Sequence, residues 1–98
     1  MATIDIKRSH KLSREDARGK AEELAKGMET KLGIKWRWEG EAIKFDTPSG
    51  VAKGATGQVL VGVTEVRVEI DLPFLLKPLK GSVEDKVNER LNALLGPA

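Results

Sequence analysis

The sequence predicts an α+β domain in which a curved, five-stranded antiparallel sheet is covered by helices, with a long C-terminal one packed across it. Three observations predict this. Two stretches repeat apolar residues every three or four positions, the helical period. Between and before them, five short stretches alternate apolar and polar residues, the period of a half-buried strand. The middle four strands are joined by connections too short for a parallel crossover, so they must form an antiparallel meander. The order is β-α-β-β-β-β-α, in one domain spanning residues 1–98.

Residues 3–8, TIDIKR, alternate with Ile4 and Ile6 on one side and form the first strand. Ser13 then offers a hydroxyl to free amides at a helix start, and Glu15 and Asp16 suit the positive end of the helix dipole. Ala17, Ala21, Leu24, Ala25, Met28 and Leu32 make one apolar stripe, and Gly33 ends the helix as a left-handed cap. Leu12, just before the cap, is placed to staple onto Asp16 and Ala17. Ile34, Trp36 and Trp38 face one way on the next strand, and Glu39-Gly40-Glu41 turns the chain into a hairpin whose second strand holds Ile43 and Phe45. TPSGVAKGATG is a loop by composition. QVLVGV (58–63) and VRVEIDL (66–72) follow as strands, with Thr64-Glu65 the expected turn.

The last element begins in LPFLLKPLKG, residues 72–81. Leu72, Leu76, Leu79, Val83, Val87, Leu91 and Leu94 continue one stripe through it, so a single long helix starting near Phe74 and ending at Gly96-Pro97 is expected. Gly81-Ser82 is its weak point: the helix kinks there, or Ser82 caps a separate helix beginning at Val83.

Composition narrows the function classes. There is no cysteine, which excludes disulfides, thiolate metal sites and cysteine nucleophiles. No apolar run spans a bilayer, and the N-terminal residues lack the apolar core of a secretory leader, so a soluble cytoplasmic protein is expected. Residues 1–38 carry ten Lys/Arg and six Asp/Glu (+4), and residues 39–98 seven and nine (−2). Acids interleave the basic half, so nucleic-acid binding is not expected.

No catalytic motif is present. His10 is the only histidine and has no second ligand at metal-binding spacing. Lys53-Gly54-Ala55-Thr56-Gly57 lacks the spacing of a phosphate loop and reads as a β-loop. The paired acids Glu15-Asp16, Glu22-Glu23 and Glu84-Asp85 diverge around helices. No enzyme, cofactor or metal is therefore expected. Trp36 and Trp38 are expected in the core, with pocket lining between sheet and helix as the alternative. Phe74 and Leu75 lie off the helical stripe. Either the sheet edge covers them, or with Lys77 and Lys80 they form an apolar, basic surface that contacts a partner.

The element order is similar to that of TBP-like and START-like helix-grip proteins, in which an apolar ligand often sits between sheet and long helix. More specifically, RSHKL (8–12), AEELA (21–25), RWEG (37–40), VRVEIDL (66–72) and FLLKPLKGSVEDKV (74–87) together resemble the polyhydroxyalkanoic acid system family of small bacterial proteins. That resemblance implies a non-enzymatic accessory role in storage-polyester metabolism, at granules in the cytoplasm. The implied partners are granule proteins or the granule surface. A small lipid-binding helix-grip module is the alternative, and the oligomeric state is left open.

Overall fold

In a computed structural model, which describes residues 3–50 and 52–96, the chain forms a single open antiparallel sheet with both helices on one face. The strands are β1 (Ile4–Ser9), β2 (Lys35–Glu39), β3 (Ala42–Asp46), β4 (Thr56–Val61) and β5 (Glu65–Asp71). Their order across the sheet is β1-β5-β4-β3-β2, so the meander β2 to β5 is completed by the N-terminal strand pairing with β5. The expected α+β architecture and the antiparallel meander are both present.

Helix α1 (Arg14–Leu32) forms where the stripe and caps predict it. The Ser13 hydroxyl accepts a hydrogen bond from the Asp16 amide at 3.2 Å. Gly33 takes φ 78°, a left-handed conformation that costs glycine nothing, and its N–H closes the last turn onto the Glu29 carbonyl. The stripe Ala17, Ala21, Leu24, Ala25, Met28 and Leu32 is buried. Three alanines on this face let α1 approach β2, β3 and β4 closely. Opposite it lie the inward residues Ile43 and Phe45 of β3 and Val59 and Val61 of β4, all buried.

The C-terminal segment departs from one long helix. Residues Phe74–Leu79 form a 3-10 helix, and α2 runs from Lys80 to Leu95. Pro78 accounts for the break: in an α-helix starting at Phe74 its missing N–H would forfeit a bond to the Phe74 carbonyl, and its ring would press on that carbonyl. The chain therefore tightens until Pro78 is passed. The α-helix then continues through Gly81-Ser82, so no separate helix begins at Val83. The tighter winding also turns Leu79 outward, at 38% exposure, although the stripe predicts it inside. Leu72, Val83, Val87 and Leu91 are buried as expected, and Leu76 and Leu94 are half-buried against the core. α2 ends at Gly96, and Pro97 lies outside the described residues.

Strand limits also shift. β1 starts and ends one residue later than the alternation predicts. β4 begins at Thr56 rather than Gln58, because β3 and β5 offer pairing partners to Thr56 and Gly57. The turn to β5 consequently falls at 62–64, closed by the Gly62 amide donating to the Glu65 carbonyl, and Val63 is left 73% exposed.

A polar clamp fixes α2 over β1. Arg8, on the inward face of that strand, donates to Asn92 Oδ1 at 2.6 Å and to Asn88 Oδ1 at 2.7 Å. The two asparagines are one helical turn apart, which matches the fork of the guanidinium. α1 and α2 meet where Gly27 makes room for the Arg90 side chain: a Cβ on Gly27 would stand 2.7 Å from Arg90 Nε.

Candidate functional site

The 3-10 helix buries none of its residues. Pro73 and Pro78 restrict the backbone at its two ends, and the Leu76 amide donates to the Pro73 carbonyl. This short, stiff segment holds Phe74 at 80% and Leu75 at 86% exposure. Of the two arrangements open to these residues, the exposed one is found. Lys77 stands with its ammonium 6.0 Å from the centre of the Phe74 ring, and Lys80 lies 3.8 Å from Glu84 one turn further on. Phe74, Leu75, Lys77, Leu79 and Lys80 are thus all exposed, with Lys77 beside Phe74. Exposed large apolar side chains elsewhere among the described residues are represented by Val63 alone, at the opposite end of β5.

Trp36 and Trp38 are half-buried on edge strand β2 and pack against the flank of α1. Each indole N–H has a carboxylate acceptor on that helix: Trp36 donates to Glu29 at 2.8 Å, and Trp38 to Glu22 at 2.7 Å. The Arg18 guanidinium lies 4.0 Å over the Trp38 ring and also approaches Glu41 at 3.5 Å. The two tryptophans therefore dock the sheet edge onto α1. Between the helices and the sheet, a gap lined by Ala21, Leu24, Val66, Leu91 and Leu94 measures about 10 Å³. Neither tryptophan lines it. Small-molecule pockets run to roughly 300–1,000 Å³.

His10 is fixed by backbone. Its Nδ1 accepts from the Leu12 amide at 3.1 Å and its Nε2 donates to the Gly62 carbonyl at 2.9 Å, joining the entry of α1 to the β4–β5 turn. No cluster of three or more His, Cys, Asp or Glu side chains able to hold a metal ion occurs among the described residues. Nor is any helix there long and apolar enough to cross a membrane.

The outer face of the sheet is polar and uncovered. An open groove of about 720 Å³ runs over it, lined by Arg37, Lys44, Asp46, Gln58, Glu69 and Asp71 among others. Asp5 and Arg67 form a two-pronged pair there, with Arg67 Nε donating at 2.9 Å. That hydrogen bonding holds the Asp5 carboxyl below its ordinary range and the Arg67 guanidinium above its own. Acids and bases share this face, which periodicity alone marks as outward but does not pair.

Comparison with known families matches the chain to the family described as "Putative polyhydroxyalkanoic acid system protein", over residues 4–95. The chain belongs to this family. The match takes in both helices, all five strands and the projecting 3-10 segment. No curated protein and no solved structure matches the chain. The polyhydroxyalkanoic acid system family is therefore recognised through the sequence, and the fold stands on its own register and topology.

Proposed function

We propose that the protein is a non-enzymatic accessory factor of the polyhydroxyalkanoic acid system. In this reading it docks onto proteins at the storage-granule surface through Phe74 and Leu75, flanked by Lys77 and Lys80. The observation that carries the reading is the exposure of adjacent Phe and Leu side chains on a proline-bracketed segment. Water-exposed side chains of this size gain about 1.5–3 kcal/mol each when a partner buries them. The stiff segment limits the ordering cost of binding. The neighbouring lysines favour an acidic rim around the partner's apolar site. Family membership supports a role in this system, and the filled space between sheet and helices argues against an enclosed apolar ligand.

The experiment is co-sedimentation of purified protein with isolated polyester granules, before and after their protein coat is stripped. Phe74→Glu and Leu75→Glu variants run alongside, each verified as folded by circular dichroism. Binding that requires the coat, and that folded variants lose, is the expected result. Equal binding to stripped granules would transfer the contact to the polymer or its lipid. Absence of binding by folded wild type would end the docking reading.

A further inference from the structure

The outer face of the sheet carries a pattern that its registers make explicit. Reading from β1 to β2, one row of outward residues is Asp5, Glu69, Gln58, Lys44, Arg37. The row beside it is Lys7, Arg67, Leu60, Ala42, Glu39. A third, on the other side, is Asp71, Thr56, Asp46, Lys35, running from β5 to β2. β4 is the central strand, so each row has a residue at its middle column and charges at its ends. In the first row the β1 half is acidic and the β2 half basic. In the second the sign is reversed. Lys7 and Lys44 have no ion-pair partner among the described residues.

We propose that this face packs against the same face of a second copy, about a two-fold axis running along β4. Such an axis keeps each row in place and exchanges β1 with β2 and β5 with β3. Asp5 then meets Arg37, Glu69 meets Lys44, and Lys7 meets Glu39, each pair formed twice. On the axis, Gln58 faces Gln58 and Leu60 faces Leu60, contacts an amide and an apolar side chain make with themselves. One contact is adverse: Asp71 meets Asp46. A self-complementary surface is what an isologous dimer requires. Packed sheets stand about 10 Å apart, a gap that an arginine or lysine and an opposing carboxylate bridge. The existing pairs Asp5–Arg67 and Arg37–Glu39 join across the interface into one network rather than being broken.

The size of the face limits the strength. Five strands at about 4.8 Å and five residues at about 3.4 Å give roughly 400 Å² of footprint a side. That is a small face beside the ~800 Å² of accessible surface each partner buries in standard stable interfaces, so the dimer is weak. Being held by exposed charges, it is also sensitive to salt.

Analytical ultracentrifugation of the full chain tests this. At about 200 µM protein and low salt the wild type sediments as a dimer, and raising salt to about 0.5 M weakens association at least tenfold. Arg37→Glu/Lys44→Glu is monomeric alone, as is Asp5→Lys/Glu69→Lys, while an equimolar mixture of the two forms a heterodimer. Asp46→Lys, which turns the one adverse contact into an attractive one, tightens the wild-type dimer several-fold. Circular dichroism checks that each variant folds. If Asp5→Lys/Glu69→Lys does not fold, Arg37→Glu/Lys44→Glu and Asp46→Lys still decide. A monomeric wild type at low salt overturns the proposal, as does a dimer that survives Arg37→Glu/Lys44→Glu or is loosened by Asp46→Lys.

Discussion

Gly57 is the position where one added methyl group has the largest calculable consequence. It lies on β4, paired with Phe45 on one side and Ile70 on the other. A Cβ there would stand 2.2 Å from the Glu69 carbonyl oxygen, 2.7 Å from Phe45 Cζ and 3.0 Å from the Ile70 Cα. The ring can rotate, but the carbonyl and Cα belong to β5 and cannot yield without separating the two strands. Overpacking of this kind costs about 1–3 kcal/mol, and a lost ladder hydrogen bond about 1 more. Gly57→Ala is therefore expected to lose about 2–4 kcal/mol, which at 4–8 °C per kcal/mol lowers Tm by roughly 10–30 °C. Thermal unfolding followed by circular dichroism measures it. Gly27→Ala is the control: its nearest contact is the flexible Arg90 side chain, and alanine gains about 1 kcal/mol of helix propensity. A Gly57→Ala protein melting within about 3 °C of wild type, or no more affected than Gly27→Ala, would refute the claim that backbone contact sets the cost.

Two further predictions concern polar pairs. Arg8→Ala should cost about 1–2 kcal/mol, and in an Asn88→Ala/Asn92→Ala background most of that cost should vanish, because the same two hydrogen bonds are already gone; urea denaturation of the four proteins gives the coupling, and simple additivity would count against the clamp. Asp5 has its folded-state pKa lowered, chiefly by hydrogen bonding to Arg67, so its contribution is present above the ordinary carboxylate value of about 3.9 and is lost as pH falls through the lowered one. Urea midpoints of wild type and Asp5→Asn, taken at low protein concentration, should therefore differ near neutrality and converge in acid; a difference that persists unchanged to the lowest pH would contradict the assignment.

Where the sequence was readable, a single physical rule decided the outcome. The stripe from Ala17 to Leu32 with Ser13 and Gly33 at its ends left only one helix possible, and the alternation Val66, Val68, Ile70 fixed the inward face of β5. Where two rules competed, periodicity misled. Leu79 fits the spacing of the last stripe, but Pro78 prevents α-helical winding before it, and the phase is lost. Val63 extends the alternation of Val59 and Val61, yet Thr56 and Gly57 take the pairing partners and push it into the turn. Trp36 and Trp38 were legible as inward residues but not as edge residues, since strand order is a long-range property. The same holds for the candidate surface: Phe74 and Leu75 were visibly off the stripe, and only the 3-10 geometry shows that no other element reaches them. The charge rows of the outer face depend entirely on cross-strand register, which alternation within one strand does not contain.

The pairing of β1 with β5 has a bearing on how the chain is made. Ile4 sits opposite Ile70, and Arg8 reaches Asn92, so the first strand is closed by residues synthesised long after it. During vectorial synthesis α1 and the β2–β4 meander can associate early, whereas β1, with Ile4 and Ile6, has no strand to join until β5 emerges. Contacts this distant in sequence slow folding and prolong the exposure of an unpaired apolar strand. A ribosome paused after β4 would hold a sheet missing one flank, and emergence of β5 is the event that completes it.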